Sequence, residues 1–354
     1  MLRTLPAVFN ISSRSLKISL CTLGPFRLCS ISTQVHRNSR YKMASDAPLL
    51  IQLEAASVAV ANKAGEIVRD IMKKGELGII QKTHIKDLQT EADRKVQMCI
   101  ATSLGRQFPG ITIIGEEEME KCNDENLVYN GKSDEVMACA SKCPDQYKNV
   151  KPEQIVVWID PLDGTQEYIE GLLDHVTVLI GIAVDGQSAA GVIHQPYFNY
   201  NVKGDDVKLG RTCWGIKGLG SYGFTHKPLP KDKTIITTTR SHPTPTVQEA
   251  IDSFKPDEVL RVGGCGHKVM IVLEGDAHVY LFASPGCKKW DTCGPQAILE
   301  AVGGRLTDIH GNILEYHKDV QKPNTAGVLA TFENHDYYLK NIPQGIRDQL
   351  KVKL

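Results

Sequence analysis

A chain of 354 residues, 42% hydrophobic and 23% charged, is long enough to bury a large core in one or two lobes. Formal net charge is zero, yet residues 1–45 hold seven Lys or Arg and no acid, which leaves 34 basic against 41 acidic residues beyond them. A body at minus 7 is a poor polyanion binder, so no nucleic-acid polymer is expected as a partner. No run of 18 apolar residues offers a membrane span.

The first 42 residues interleave Leu2, Leu5, Val8, Phe9, Leu16 and Ile18 with serine and arginine. They read either as a mitochondrial transit-like leader or as an extension ahead of a cytosolic start at Met43. The second reading, a cytoplasmic protein, is the expectation. Scattered cysteines with no C-x-x-C pair fit a reducing compartment.

Helical periodicity runs from Leu53 to Met72 and stops near Gly75. The segment Asp87 to Asp93 then precedes a second helical pattern through Val96, Ile100 and Leu104. Thr90 and Asp93 have the spacing of a capping box; alternatively, Asp93 is a base that acts through the hydroxyl of Thr165. Gly110 to Ile114 reads as a short buried strand that delivers Glu116 toward a crevice, with Glu117 to Glu120 a solvated acidic loop. Residues 115–150 are the expected surface excursion.

Ile155 to Ile159 is a continuous apolar run, so Asp160 is placed where a buried strand meets solvent. A turn through Pro161 and Leu162 brings Asp160 and Asp163 to one side and leaves the Leu162 carbonyl as an uncharged oxygen ligand. Gly164 and Thr165 fall at a helix N-terminus, which favours an anion. An ordinary turn with Asp163 as a helix cap is the bland alternative. Hard oxygen donors point to magnesium, and the 11 histidines include no H-E-x-x-H pattern that would suggest zinc.

Asp185-Gly186 between two apolar runs signals a hairpin, and a lobe boundary is placed near Leu229 to Lys233. After Thr234, strand and helix patterns alternate. Thr237 to His242 ends one strand-like run, and Val262 to Lys268 is a glycine-rich turn opening a helix over Val269 to Leu273. A phosphate could rest on such amides with Lys268 and His242 as donors, although a plain turn has the same pattern. Asp291 stands like an N-cap before Ala297, Ile298, Ala301 and Val302.

Asp87 to Asp93, Gly115-Glu116-Glu117, Trp158 to Tyr168 and Trp290 to Gly304 resemble, in order, the four signature segments of the lithium-sensitive, magnesium-dependent phosphatases. That superfamily includes inositol monophosphatase, fructose bisphosphatase and the 3'(2'),5'-bisphosphate nucleotidases. Gly210 to Gly215, Ile235 to His242 and Pro285 to Trp290 are most similar to the last group. The resemblance implies a layered αβαβα sandwich, with an α+β lobe over residues 43–230 and an α/β lobe over 231–354.

It also implies two to three Mg2+ held by Glu116, Asp160, the Leu162 carbonyl, Asp163 and Asp291, and an Asp93–Thr165 acid/base dyad. Gly164, Thr165, Thr239, His242, Gly264 and Lys268 would contact substrate. The implied reaction is hydrolysis of adenosine 3',5'-bisphosphate, its 2',5' isomer or phosphoadenosine phosphosulfate, inhibited by Li+. Inositol bisphosphate is a further candidate substrate. An inositol phosphate phosphatase is the alternative enzyme, and a phosphonucleotide-binding regulatory protein without turnover is the alternative of another class.

Overall fold

The structure is a computed structural model that describes residues 46–82, 88–118, 122–204 and 206–350. The expectations for residues 1–42, for a start at Met43 and for Asp87 lie outside the described residues. Ala47–Leu354 forms a unit of its own, to which all the elements below belong. Among the described residues no helix is long and apolar enough to cross a membrane.

The first helix, α1 (Leu49–Lys74), extends past the predicted Leu53–Met72 at both ends. Val58, Ala61 and Val68 form part of its buried stripe, and it stops where Gly75 adopts φ 79° and returns its N–H to the Met72 carbonyl. A short ribbon, β1 (Ile80–Gln81) with β2 (Leu88–Gln89), leads into α2 (Glu91–Gln107). Then β3 (Thr112–Gly115) opens a six-stranded sheet. Among the described residues, the excursion over 115–150 forms short helical turns, of which α3 (Asp134–Met137) is one.

The sheet continues through β4 (Ile155–Asp163), β5 (Thr177–Val184), β6 (Gln187–Gln195), β7 (Arg211–Ile216) and β8 (Gly220–Tyr222) in sequence order. Only β3 and β4 pair in parallel. The β5–β6 hairpin turns at Asp185 and Gly186, both at positive φ as a two-residue primed turn requires. Between β4 and β5 lies α4 (Thr165–Glu170).

A second sheet of five strands has the order β10 (Glu258–Val262), β9 (Ile235–Thr239), β11 (Val279–Phe282), β13 (Val328–Thr331), β12 (Arg305–Thr307). Its helices are α5 (Pro245–Asp252), α6 (Cys265–Leu273), α7 (Lys289–Ala301), α8 (His335–Asn341) and α9 (Gln344–Gln349).

Two cores explain the layering. Leu50, Ile51, Leu53, Ile100 and Leu104 from α1 and α2 bury one face of the first sheet. The opposite face, with Val156, Trp158, Leu179 and Ile193, shares a second core with α6, α7 and the five-stranded sheet. Both α6 and α7 touch strands of both sheets, while α5 and α8 pack on the second sheet. The result is five alternating layers, αβαβα.

Glycines set the closeness of the middle layer. A Cβ on Gly181 would lie 2.5 Å from the Gly294 nitrogen, and one on Gly191 only 2.4 Å from the Gly294 carbonyl. Backbone therefore meets backbone where α7 crosses β5 and β6, and this seats Asp291, in the first turn of α7, beside the metal-like motif of β4.

Candidate active site

The sequence placed Asp160 at a solvent-facing strand end. Instead β4 stays buried through Asp163, and its register with β5 shifts between Asp160 and Asp163. Pro161 has no N–H for the ladder, so the predicted turn is realised as an irregularity inside the sheet. The Leu162 N–H bonds Asp160 Oδ1 at 3.1 Å, and the Leu162 carbonyl accepts from Thr165 Oγ1 at 3.0 Å.

Asp163 is tied to the second half of the chain. Its Oδ1 accepts from Cys265 N at 2.8 Å, and its Oδ2 from Gly266 N at 2.8 Å and Thr177 Oγ1 at 2.6 Å. The glycine-rich amides expected to cradle a phosphate are thus already occupied by a carboxylate, and the helix they open starts at Cys265 rather than Val269. Gly264 caps that helix at φ 68°, and a Cβ there would meet the His175 carbonyl at 2.6 Å.

Asp93 satisfies both readings of its segment. Its Oδ2 accepts from Thr90 N at 2.7 Å and Thr90 Oγ1 at 2.5 Å, closing the capping box of α2, while Oδ1 accepts from Thr165 Oγ1 at 3.1 Å. Burial pushes its carboxyl up to about 6, against the pull of the Thr90 donors. Asp291 differs from expectation: it is the third residue of α7, and its Oδ2 accepts from Lys288 N at 2.6 Å, so Lys288 is the N-cap.

Glu117, expected in a solvated loop, is buried and takes hydrogen bonds from Lys82 at 2.7 Å and from Gln89. Its neighbour at the strand end, Glu116, lines the cleft and bonds Lys82 Nζ at 3.2 Å.

These carboxylates oppose one another's ionisation. Asp160 is pushed well above the usual range, first by burial and then by Glu116, Asp163 and Asp291. Desolvation raises Glu116 to about 8, resisted by Lys82 and assisted by Asp291. Asp163 is pushed up to about 6 by burial, with Lys268 opposing. Coupled acids of this kind in a cleft mark a functional site, and an excess of hard anionic oxygens suits a magnesium-like cation. Among the described residues no three such side chains already close into a cage. The fit therefore rests on donor type, burial and uncompensated charge.

A cleft of about 220 Å³ opens over this set. Glu116, Asp163, Gly164, Thr165 and Asp291 line it together with Thr239, His242, Gly264 and Lys268, whereas Asp93, Asp160 and Leu162 are outside the lining. Buried Lys268 has its ammonium 5.4 Å from the Tyr280 ring and 3.5 Å from the Val262 carbonyl. Thr239 Oγ1 accepts from the His242 N–H at 3.0 Å.

Several lining and supporting residues were not foreseen. Tyr280 and Phe282 supply an aromatic wall. Buried Glu167 is held by Arg240 Nε and Nη2 at 3.2 and 3.1 Å, and Arg240 also reaches Glu170, so α4 is clamped to the end of β9. Nothing local in the sequence announces these pairs, since each joins residues about 70 positions apart.

The inositol monophosphatase family model matches residues 50–346. The chain is 54% identical over 309 residues to 3'(2'),5'-bisphosphate nucleotidase 1 of Homo sapiens, covering 87% of this chain and 99% of that protein. It is 41% identical over 303 residues to the protein of the same name from Dictyostelium discoideum, covering 82% and 96%. The crystal structure of the extragenic suppressor protein suhB from Bartonella henselae shares the fold at TM-score 0.60 and 20% identity, over 82% of this chain and 98% of that one. With the layered fold, the acidic cleft and these likenesses in hand, the chain belongs to the inositol monophosphatase family.

Proposed function

We propose that this protein is a magnesium-dependent phosphomonoesterase that converts adenosine 3',5'-bisphosphate to AMP and phosphate, with the 2',5' isomer and phosphoadenosine phosphosulfate as related substrates. The family is generally magnesium-dependent, and the names of the relatives at 54% and 41% identity support the substrate class. The observation that carries the chemistry is the Thr165 to Asp93 hydrogen bond beneath a cleft of mutually repelling carboxylates.

Glu116, Asp160, the Leu162 carbonyl, Asp163 and Asp291 would hold the metal ions. When bound, these supply positive charge to the transferring and leaving oxygens and acidify a water. Thr165 has one hydroxyl proton and two acceptors, Asp93 Oδ1 and the Leu162 carbonyl. With that proton directed at Asp93, the Thr165 oxygen is free to accept from a water and draw its proton toward the buried carboxylate. Gly164, Thr239, His242, Gly264 and Lys268 bind the remainder of the nucleotide, with Lys268 set against the 5'-phosphate. Tyr280 and Phe282 give the base an apolar wall.

The test is phosphate release from adenosine 3',5'-bisphosphate and inositol 1,4-bisphosphate by the wild type and Lys268→Ala. A selective loss of the nucleotide reaction, on the order of 10-fold or more for one charge-assisted bond, is expected. Absence of release by the wild type overturns the proposal, and equal losses on both substrates overturn the role of Lys268. Lithium inhibition belongs to the same reading and should persist at saturating substrate.

A further inference from the structure

The turn ahead of α6 places Gly264 and Lys268 in the cleft, and it is anchored by a residue far away in sequence. Gly263 is buried, and its N–H donates to His175 Nδ1 at 3.2 Å. Because Nδ1 accepts, the proton of the neutral ring is on Nε2. His175 ends the single helical turn Leu173–His175 that follows α4. Its carbonyl is also close to the glycines: a Cβ on Gly164 would lie 3.3 Å from it, and one on Gly264 2.6 Å. Against Glu167 there is as little room, since a Cβ on Gly263 would lie 2.0 Å from Glu167 Cδ, and Arg240 holds Glu167 at 3.1 Å. Without the His175 acceptor a buried amide would have no partner, and the turn could relieve that only by moving.

We propose that His175 is a positioning residue for nucleotide binding: its neutral imidazole fixes the Gly263–Gly264 turn, and protonation of Nδ1 releases it. Lys268 moves with the turn, because its N–H bonds the Gly264 carbonyl at 3.4 Å. The inference rests on the nucleotide reading of the cleft proposed above.

The surroundings favour the accepting form of the ring. Burial lowers His175 from its ordinary 6.5; Arg240 at the end of β9 and Lys268 of α6 act in the same direction, while Asp174 beside it and Glu167 of α4 oppose. His267 of α6 stacks on His175 with ring centroids 5.0 Å apart. Burial lowers His267 to about 3, so it stays neutral where His175 titrates. Protonation sets a hydrogen on Nδ1 against the Gly263 N–H, donor facing donor. The bond is therefore complete above pH 6.5 and is lost as pH falls through the lower value of His175.

The test is calorimetric binding of AMP, with magnesium present, to the full-length wild type, His175→Asn and His175→Leu between about pH 8 and about pH 5. Asn keeps an acceptor oxygen near the place of Nδ1 but does not titrate, whereas Leu keeps bulk against His267 and accepts nothing. At pH 8 the Asn variant should match the wild type within about twofold, and the Leu variant should bind about 10-fold more weakly or worse. As pH falls, the wild type should lose affinity relative to the Asn variant, approaching the deficit of the Leu variant. The AMP phosphate and the other ionisable groups of the cleft are common to both proteins, so their titration cancels in the ratio. Parallel wild-type and Asn curves over the whole range overturn the inference, even if the Leu variant does not fold. Wild-type affinity in a folded Leu variant at pH 8 also overturns it. No AMP binding by the wild type at pH 8 overturns the nucleotide reading itself, and this inference with it.

Discussion

Asp93 shows how one side chain serves two purposes that a sequence presents as rivals. Its two oxygens divide the work, one closing the capping box with Thr90 and the other receiving the Thr165 hydroxyl. Asp93→Asn keeps size and one acceptor, so the helix cap should lose on the order of 1 kcal/mol while turnover falls by about 10² to 10⁴. Melting temperature and phosphate release from the same preparation check this: a small thermal shift with an unchanged rate would make Asp93 structural only. Thr165, Asp163 and Glu116 were readable because each sits in a short local motif. Lys82, Arg240 and the aromatic wall were not, because their importance comes from partners distant in sequence. Glu117 was misread for the same reason: Glu118 beside it is exposed, but the groups that hold Glu117 are distant in sequence, Lys82 and Gln89 on its carboxylate and Gln97, whose Oε1 accepts the Glu117 N–H at 2.9 Å.

At the scale of elements, α1 meets the first sheet with polar groups in the contact. Both oxygens of Glu54 are buried without a hydrogen bond, as are Ser57 Oγ, His194 Nε2 and Trp214 Nε1. The Gly215 and Gly191 amides lie near enough to favour the Glu54 carboxylate, yet neither forms a bond of ordinary geometry, and burial raises the carboxyl well above its usual value of 4.5. A raised folded-state value means that stability is fully present below pH 4.5 and declines as pH rises through the folded value. Glu54→Gln should therefore gain about 1.4 kcal/mol for each pH unit above 4.5 until that value is reached, with no gain at pH 4. Urea unfolding at pH 4.5 and 8 measures it; an equal effect at both would refute the assignment.

His194, on the strand beneath α1, has the opposite slope. Burial lowers it from 6.5 to about 3, so its contribution is complete above 6.5 and is lost as pH falls toward 3. The wild type should lose on the order of 1 kcal/mol per unit over that window, and His194→Gln should flatten this limb. Two opposed titrations on one interface set a stability maximum between them. The helix and the hairpin strands were legible from periodicity and the Asp185-Gly186 turn. The buried polar contact was not, since hydrophobic spacing says which face is covered and nothing about what lies across it.

For the whole molecule, the decisive contact is α7 against β5 and β6. Gly191→Ala places a methyl group 2.4 Å from the Gly294 carbonyl, so the helix must move or the strand must bend. A loss of about 1 to 3 kcal/mol is expected, together with reduced phosphate release as Asp291 is displaced, whereas Gly75→Ala, with open space around it but φ 79°, should cost stability without affecting the rate. Retention of full activity by Gly191→Ala would show that the glycine contact does not position the site. The alternation of strand and helix after Thr234 made the second half of the architecture readable. The seating of one half on the other was not, because glycine in a strand is silent about which backbone approaches it.

That seating has a consequence for biosynthesis. The last strand of the first sheet ends at Tyr222, but the helices that cover its inner face begin only at Cys265 and Lys289. At roughly 5 to 20 residues per second, translation of the segment from Tyr222 to Cys265 takes on the order of 2 to 9 seconds, during which Trp158, Leu179 and Ile193 have no lid from their own chain, and α7 follows only later. The newborn protein must therefore keep a finished but half-covered sheet out of contact with other chains, a demand on chaperones that the completed molecule no longer makes.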